Sequence, residues 1–142
     1  MIAIKPAIKQ LLVEDEAVAA LVEGRVHFDV IPTRDSLPGP TLVLTTWPIQ
    51  VLQGSEGRTG LEAHAVQVDA YATDPLTPDE VMEVAAEALS PTPPKPHRRT
   101  VAGVEIQAVR ETPAGGAPTY EADTRLYRRS LDFKVHAARA AA

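Results

Sequence analysis

The chain has 142 residues, a formal net charge of −5, no cysteine, and 44% hydrophobic but only 4% aromatic residues. That size suits one core built of Val, Leu, Ile and Ala, so a single domain over residues 1–142 is expected. The absence of cysteine excludes disulfides, thiolate nucleophiles and cysteine-ligated zinc, and the acidic balance argues against a protein that works by neutralising phosphates.

Along the chain, Ile4, Ile8, Leu11 and Leu12 recur at the helical period, with Lys5, Lys9 and Gln10 on the other side. Pro6 is tolerable in the first turn of such a helix. Asp15 can cap a second short helix carrying Val18, Leu21 and Val22, which Gly24 stops. A short strand is predicted at 25–30. The leader MIAIKPAIKQLL lacks a long apolar stretch and a small-residue cleavage site, so no signal peptide is expected. The uncharged run 36–55 is broken by Pro38, Gly39, Pro40, Pro48 and Gly54, and no membrane helix is expected.

Residues 41–49 (TLVLTTWPI) read as a second strand and QGSEGRTG as a flexible loop. Residues 62–73 read as a third strand, with Val66, Val68, Ala70 and Ala72 on one face and Gln67, Asp69, Tyr71 and Thr73 on the other. In TPDEVMEVAAEAL, Thr77 can cap, Pro78 can open the first turn and Glu80 can complete a capping box, with Val81, Val84, Ala85, Ala88 and Leu89 as the apolar stripe. The proline-rich SPTPPKPHRR then reads as an extended connector. Strands at 100–110 and 124–136, joined by the loop TPAGGAPTYEA, complete the chain, and 136–142 is expected to be a flexible tail. The fold class predicted is α+β: a largely antiparallel sheet of about four to five strands packed against an N-terminal helix pair and one central helix.

A search of the sequence for chemistry gives little. Asp69 and Asp132 would make an acid and base pair only if their strands were neighbours, and Asp132 is flanked by Arg128, Ser130 and Lys134, whose cations hold a carboxylate ionised. His27, His64, His97 and His136 lack metal-ligand spacing, and the serines offer no nucleophile elbow. GSEGRTG lacks the following helix that a phosphate cradle needs. The run RLYRR at 125–129 could clamp a nucleic acid through Arg125, Tyr127, Arg128 and Arg129, but a strand edge or a protein contact is the commoner use of such a run. No catalytic residue, metal or cofactor is assigned.

The ordered set of LVEGRVHFDVIP (21–32), LPGPTLVLTT (37–46), AVQVDAYATD (65–74) with the helix after it, VAGVEIQAVR (101–110) and LYRRSLDFKV (126–135) resembles the tail-terminator or tail-completion family of long-tailed phages, prophages and gene-transfer particles. The similarity spans nearly the whole chain. What the resemblance implies is a structural virion protein, not an enzyme. Six copies would cap the head-proximal end of the tail tube as a ring, end tube polymerisation and join tail to head, with DNA passing through the middle without specific binding. Its partners would be itself, the tail-tube protein and the head connector protein, and its place the virion tail after assembly in the host cytoplasm. Within that picture Asp69, Arg128, Asp132 and Lys134 are expected at subunit contacts, where opposite charges set register and partner choice. Gly54, Glu56, Arg58 and Gly60 in one loop, and Gly115 and Gly116 in the other, are expected to meet the tube or the connector. Competing readings are a head-completion or connector ring protein, a nucleic-acid-binding module and a small hydrolase.

Overall fold

The computed structural model describes residues 2–30, 32–54, 57–93, 98–112 and 119–140, with the backbone alone at 52–54 and 57–59. Two helices lead, α1 (Ile4–Glu14) and α2 (Glu16–Val22), followed by strand β1 (Val26–Phe28) and one turn of 3-10 helix (Arg34–Ser36). The hairpin β2 (Thr41–Gly54) and β3 (Gly57–Ala72), helix α3 (Thr77–Leu89), the short β4 (Arg99–Val101), β5 (Val104–Thr112), β6 (Thr119–Glu121) and β7 (Leu126–Arg139) complete the order.

The strands form one sheet in the order β1-β2-β3-β7-β5-β4, with β6 added to β7. It is therefore larger than the four to five strands expected, and mixed, because β1 runs parallel to β2. A parallel neighbour needs a crossover of about a dozen residues, and residues 29–40 supply it. In LPGP, Gly39 lets the Arg25 guanidinium lie against the backbone: a Cβ at Gly39 would come within 2.5 Å of Arg25 Nη2. Arg25 Nε there donates to the Pro40 carbonyl at 2.9 Å.

All three helices cover one face of the sheet. Ile4, Ala7, Ile8 and Leu12 of α1, Val18 and Val22 of α2, and Val81, Met82, Ala85 and Leu89 of α3 pack on Leu42, Leu44, Val66, Val68, Ala70, Leu131, Phe133 and Val135. The alternation read in the third strand is thus the inner face of β3. Its other face also has a small lid at one end, where Val43, Tyr71 and Leu126 are buried under Leu37 of the crossover.

Several local expectations are met and others corrected. Asp15 caps α2 by accepting from the Val18 N–H at 3.1 Å, and the chain leaves that helix through Glu23 and Gly24, both at positive φ. Thr77, by contrast, lies inside α3, and the residue that caps the turn before it is Asp74. The Asp74 carboxylate accepts from the N–H groups of Leu76 and Thr77 at 3.0 and 2.9 Å and from the Thr77 hydroxyl at 2.6 Å. These bonds, the Thr77 hydroxyl first, hold the Asp74 carboxyl below its ordinary range.

The strand predicted at 100–110 is a hairpin, because Ala102 and Gly103 take φ of 49° and 75° and turn the chain between β4 and β5. Two successive positive φ values make the tight turn whose twist matches paired strands. Most of QGSEGRTG is strand as well, since Gln53 pairs with Arg58 and Gly54 with Gly57. Gly60, at φ 83°, sits where the β2–β3 register shifts, a conformation that a residue with a Cβ adopts only under strain. β7 runs on past the expected end at His136 to Arg139, pairing Ala137 and Ala138 with β3 and β5.

α3 has no basic residue in its last turn. Its terminal carbonyls are met from β4 instead, where Arg99 donates from Nη1 to Ala88 O at 2.6 Å and from Nη2 to Leu89 O at 2.5 Å. Burial pushes the Arg99 guanidinium below its ordinary value, yet its place at the negative end of the helix favours a cation. Arg99→Met is expected to lower unfolding stability by about 1.5–3 kcal/mol through the loss of charge-assisted bonds, read as a shift in the denaturant midpoint with an unchanged slope.

Candidate functional site

The residues singled out in the sequence converge on the outer face of the sheet, the side away from the helices. In the antiparallel ladder of β3 and β7, Asp69 lies opposite Ser130, Tyr71 opposite Arg128, and Gln67 opposite Asp132. Directly opposed residues share a face, so Asp69, Arg128 and Asp132 stand together there. Lys134 follows on the same face, opposite Ala65 of β3 and Arg110 of β5.

Asp69 is only 4% exposed. Its carboxylate accepts from Arg128 Nε at 2.9 Å, from Gln67 Nε2 at 3.2 Å and from the Ser130 hydroxyl. Arg128 also donates from Nη1 to Glu121 Oε1 at 3.0 Å, tying β6 to the same centre, and its guanidinium lies 5.9 Å from the centroid of the Tyr71 ring. Burial alone would push Arg128 down, but its bond to Asp69 more than offsets that and leaves it above its ordinary value. Burial pushes the Tyr71 phenol up to about 12, against the opposing pull of Arg128. Every hydrogen-bond partner of the Asp69 carboxylate donates to it, so charge-assisted bonds fix it in place between the two strands.

Asp69 and Asp132 are diagonal neighbours across the two strands, a spacing of roughly 7–8 Å between backbones. Only the first is enclosed by donors. Asp132 and Lys134 are half-buried and make no ion pair among the described residues. The four residues expected at subunit contacts thus split into an internal pair, Asp69 with Arg128, and two charges not paired within the described chain. Of the loop residues, Gly54 and Gly60 lie in the β2–β3 hairpin and Arg58 is placed there by its backbone, while Glu56, Gly115 and Gly116 lie outside the described residues.

The RLYRR run is committed to the fold. Arg125 pairs with Asp35 at 3.2 Å, Arg128 with Asp69 and Glu121, and Arg129 with Asp79 at the start of α3. Tyr127 meets Tyr120 edge to face, with ring centroids 5.1 Å apart. These contacts turn what read as a possible nucleic-acid clamp into the fastening of β7 to the crossover, to β3 and β6, and to α3. Sequence reasoning also missed a buried carboxylate on the inner face. Glu62, 8% exposed, accepts from the Ile2 N–H at 3.1 and 3.2 Å and lies 3.0 Å from His64 Nε2. Burial would raise its pKa, but the bonds from Ile2 and His64 prevail and hold it below the usual carboxylate range. The signal was visible as Glu62 and His64 falling on the apolar face of the third strand. Among the described residues no group of three or more His, Asp or Glu could hold a metal ion, and no helix is long and apolar enough to cross a membrane.

The Asp69–Arg128 pair is expected to be structural. Asp69→Ala should destabilise the fold by about 3 kcal/mol, the low end for stranding a charge from a buried pair, because Arg128 retains Glu121 and some water. Asp69→Ala combined with Arg128→Met should lose less than the sum of the single changes, as measured in a double-mutant cycle of chemical unfolding.

Comparison with known proteins agrees with the resemblance seen in the sequence. The protein-family model described as tail completion protein gp17 matches residues 6–137. None of the curated proteins matches by sequence. Among solved structures, a chain of the virion of a native gene transfer agent (GTA) particle superposes with a TM-score of 0.70 at 17% identity, covering 93% of this chain and 92% of that one, so the two share a fold. The family match runs from within α1 to within β7 and includes the Asp69 network, and by that match this chain belongs to the tail completion protein gp17 family, structural proteins of the virion tail.

Proposed function

We propose that the protein closes the head-proximal end of the phage tail tube as a ring of identical subunits, most simply six, ending tube polymerisation and providing the surface that joins tail to head. The observation that carries this reading is the family match across residues 6–137. It is supported by the site itself, whose ionisable groups hold strands and helices together. The protein acts by shape and contact, and no reaction is assigned to it.

In this reading the β2–β3 hairpin, with Gly54, Glu56, Arg58 and Gly60, and the β5–β6 connection, with Gly115 and Gly116, meet the tube or the head connector. Connections between strands are where a partner can reach backbone without unpacking a core. Asp132 and Lys134 belong to contacts between subunits. DNA slides through the opening, since a ring of subunits each carrying −5 repels a polyanion more than it holds it.

Deleting the gene from its phage or prophage tests the role. Electron microscopy of the products should show tails of uncontrolled length separated from filled heads. Tails of normal length that fail to join heads would move the protein to the head connector, and intact virions would remove it from assembly altogether.

A further inference from the structure

Below the Asp69 network, the outer face changes character. Trp47 of β2, Ala65 of β3, Lys134 of β7 and Arg110 of β5 stand abreast in cross-strand register, and the next row holds Ala63, His136 and Ala108. Trp47 is 45% exposed, a large aromatic ring on the water side of a sheet, with small alanines between it and the cations. Arg110 and Lys134 make no ion pair among the described residues. Burial first, then the two neighbouring cations, keep the His136 imidazole below its ordinary value.

The opposite side of the molecule has the reverse charge. Helix α3 carries Asp79, Glu80, Glu83 and Glu87 and no basic residue. Asp79 is taken by Arg129, and Glu87 accepts from Thr92. Glu80 and Glu83 are exposed, one turn apart on the same side of the helix, and make no ion pair among the described residues. The sheet separates the two surfaces, so an acidic helix and a basic patch with an aromatic point in opposite directions. A two-fold contact would set like charges against each other, whereas head-to-tail association brings opposite charges together and generates a ring when its rotation closes.

We infer that the Trp47–Lys134–Arg110 patch is the seat of a second copy of this chain, and that it receives the Glu80–Glu83 side of α3 from the neighbouring subunit. The inference deepens the ring reading and rests on it for closure. Ala65, small and only partly buried, leaves a shallow floor on which a helix can approach the sheet between Trp47 and the cations. Cations beside an aromatic ring also suit a nucleic acid, but a chain of net charge −5 disfavours a polyanion as a whole.

Because the chain has no cysteine, Ala65→Cys and Glu83→Cys introduce its only thiols. Particles assembled from the double variant and oxidised should give a ladder of disulfide-linked multimers on denaturing gels without reductant, and neither single variant should. Adding Lys134→Glu should abolish the ladder, and further adding Glu80→Lys should restore it. No ladder from the double variant, or dimers from either single variant, would overturn the inference. A lysine-reactive cross-linker on the same particles separates the two failures: multimers with it but no disulfide ladder reject this interface and leave the ring, and multimers with neither reject both. Binding of the purified protein to duplex DNA that Lys134→Glu removes, in the absence of a ladder, would reassign the patch to nucleic acid.

Discussion

The pairing of β3 with β7 is the constraint on which the rest of the structure hangs. It runs from Leu61 opposite Ala138 to Ala72 opposite Tyr127 without a register shift, whereas the outer pairings β2–β3 and β5–β7 both contain irregularities. Side chains alternate along a strand, so a slip of one residue would turn Val66, Val68 and Ala70 to the outer face and carry Asp69 into the apolar layer under the helices. Asp69 makes that slip costly in a second way, because its partners Arg128 and Ser130 both lie on β7. Hydrophobic patterning and one buried ion pair thus specify the same register.

Once that ladder is set, the remaining contacts follow from it. β7 is the strand whose side chains reach furthest: Arg129 inward to the start of α3, Arg128 outward to β3 and β6, and Arg125 before its start to the crossover at Asp35. Arg99 does for the end of α3 what Arg129 does for its beginning. The charges that looked like a nucleic-acid site in the sequence are long-range fasteners of a sheet that carries its helices on one side. Such a body offers stiff surfaces, which suits a structural protein of the virion. The family match points the same way.

Much of the inner layer was legible in the sequence, since the stripe of α3, the alternation of β3 and the Asp15 cap each depend on residues within a few positions of one another. The failures lie where distant parts of the chain decide. Nothing in ala-gly at 102 and 103 announces a turn as Asn-Gly would, and Ala102 accepts φ of 49° because β4 and β5 pair on either side of it. HAARA lacks the bulky alternation of a strand, yet Ala137 is buried because β3 and β5 flank it. The parallel placing of β1 depends on Arg25 packing over Gly39, a contact across the crossover. For the site, the sequence picked out Asp69 and Arg128 and the reason for interest in them, opposite charges on one face. It could not say that they would choose each other, because that depends on Tyr71 facing Arg128 and Ser130 facing Asp69 across the ladder.

If copies of this fold close the tail as a ring, a reconstruction of the head-to-tail junction in purified particles will reveal it. The expected density is a closed ring of this sheet-and-helix body seated on the last layer of the tail tube, with a continuous channel through it. Density for the chain at any other place in the particle, or a junction formed without it, would rule out a capping ring.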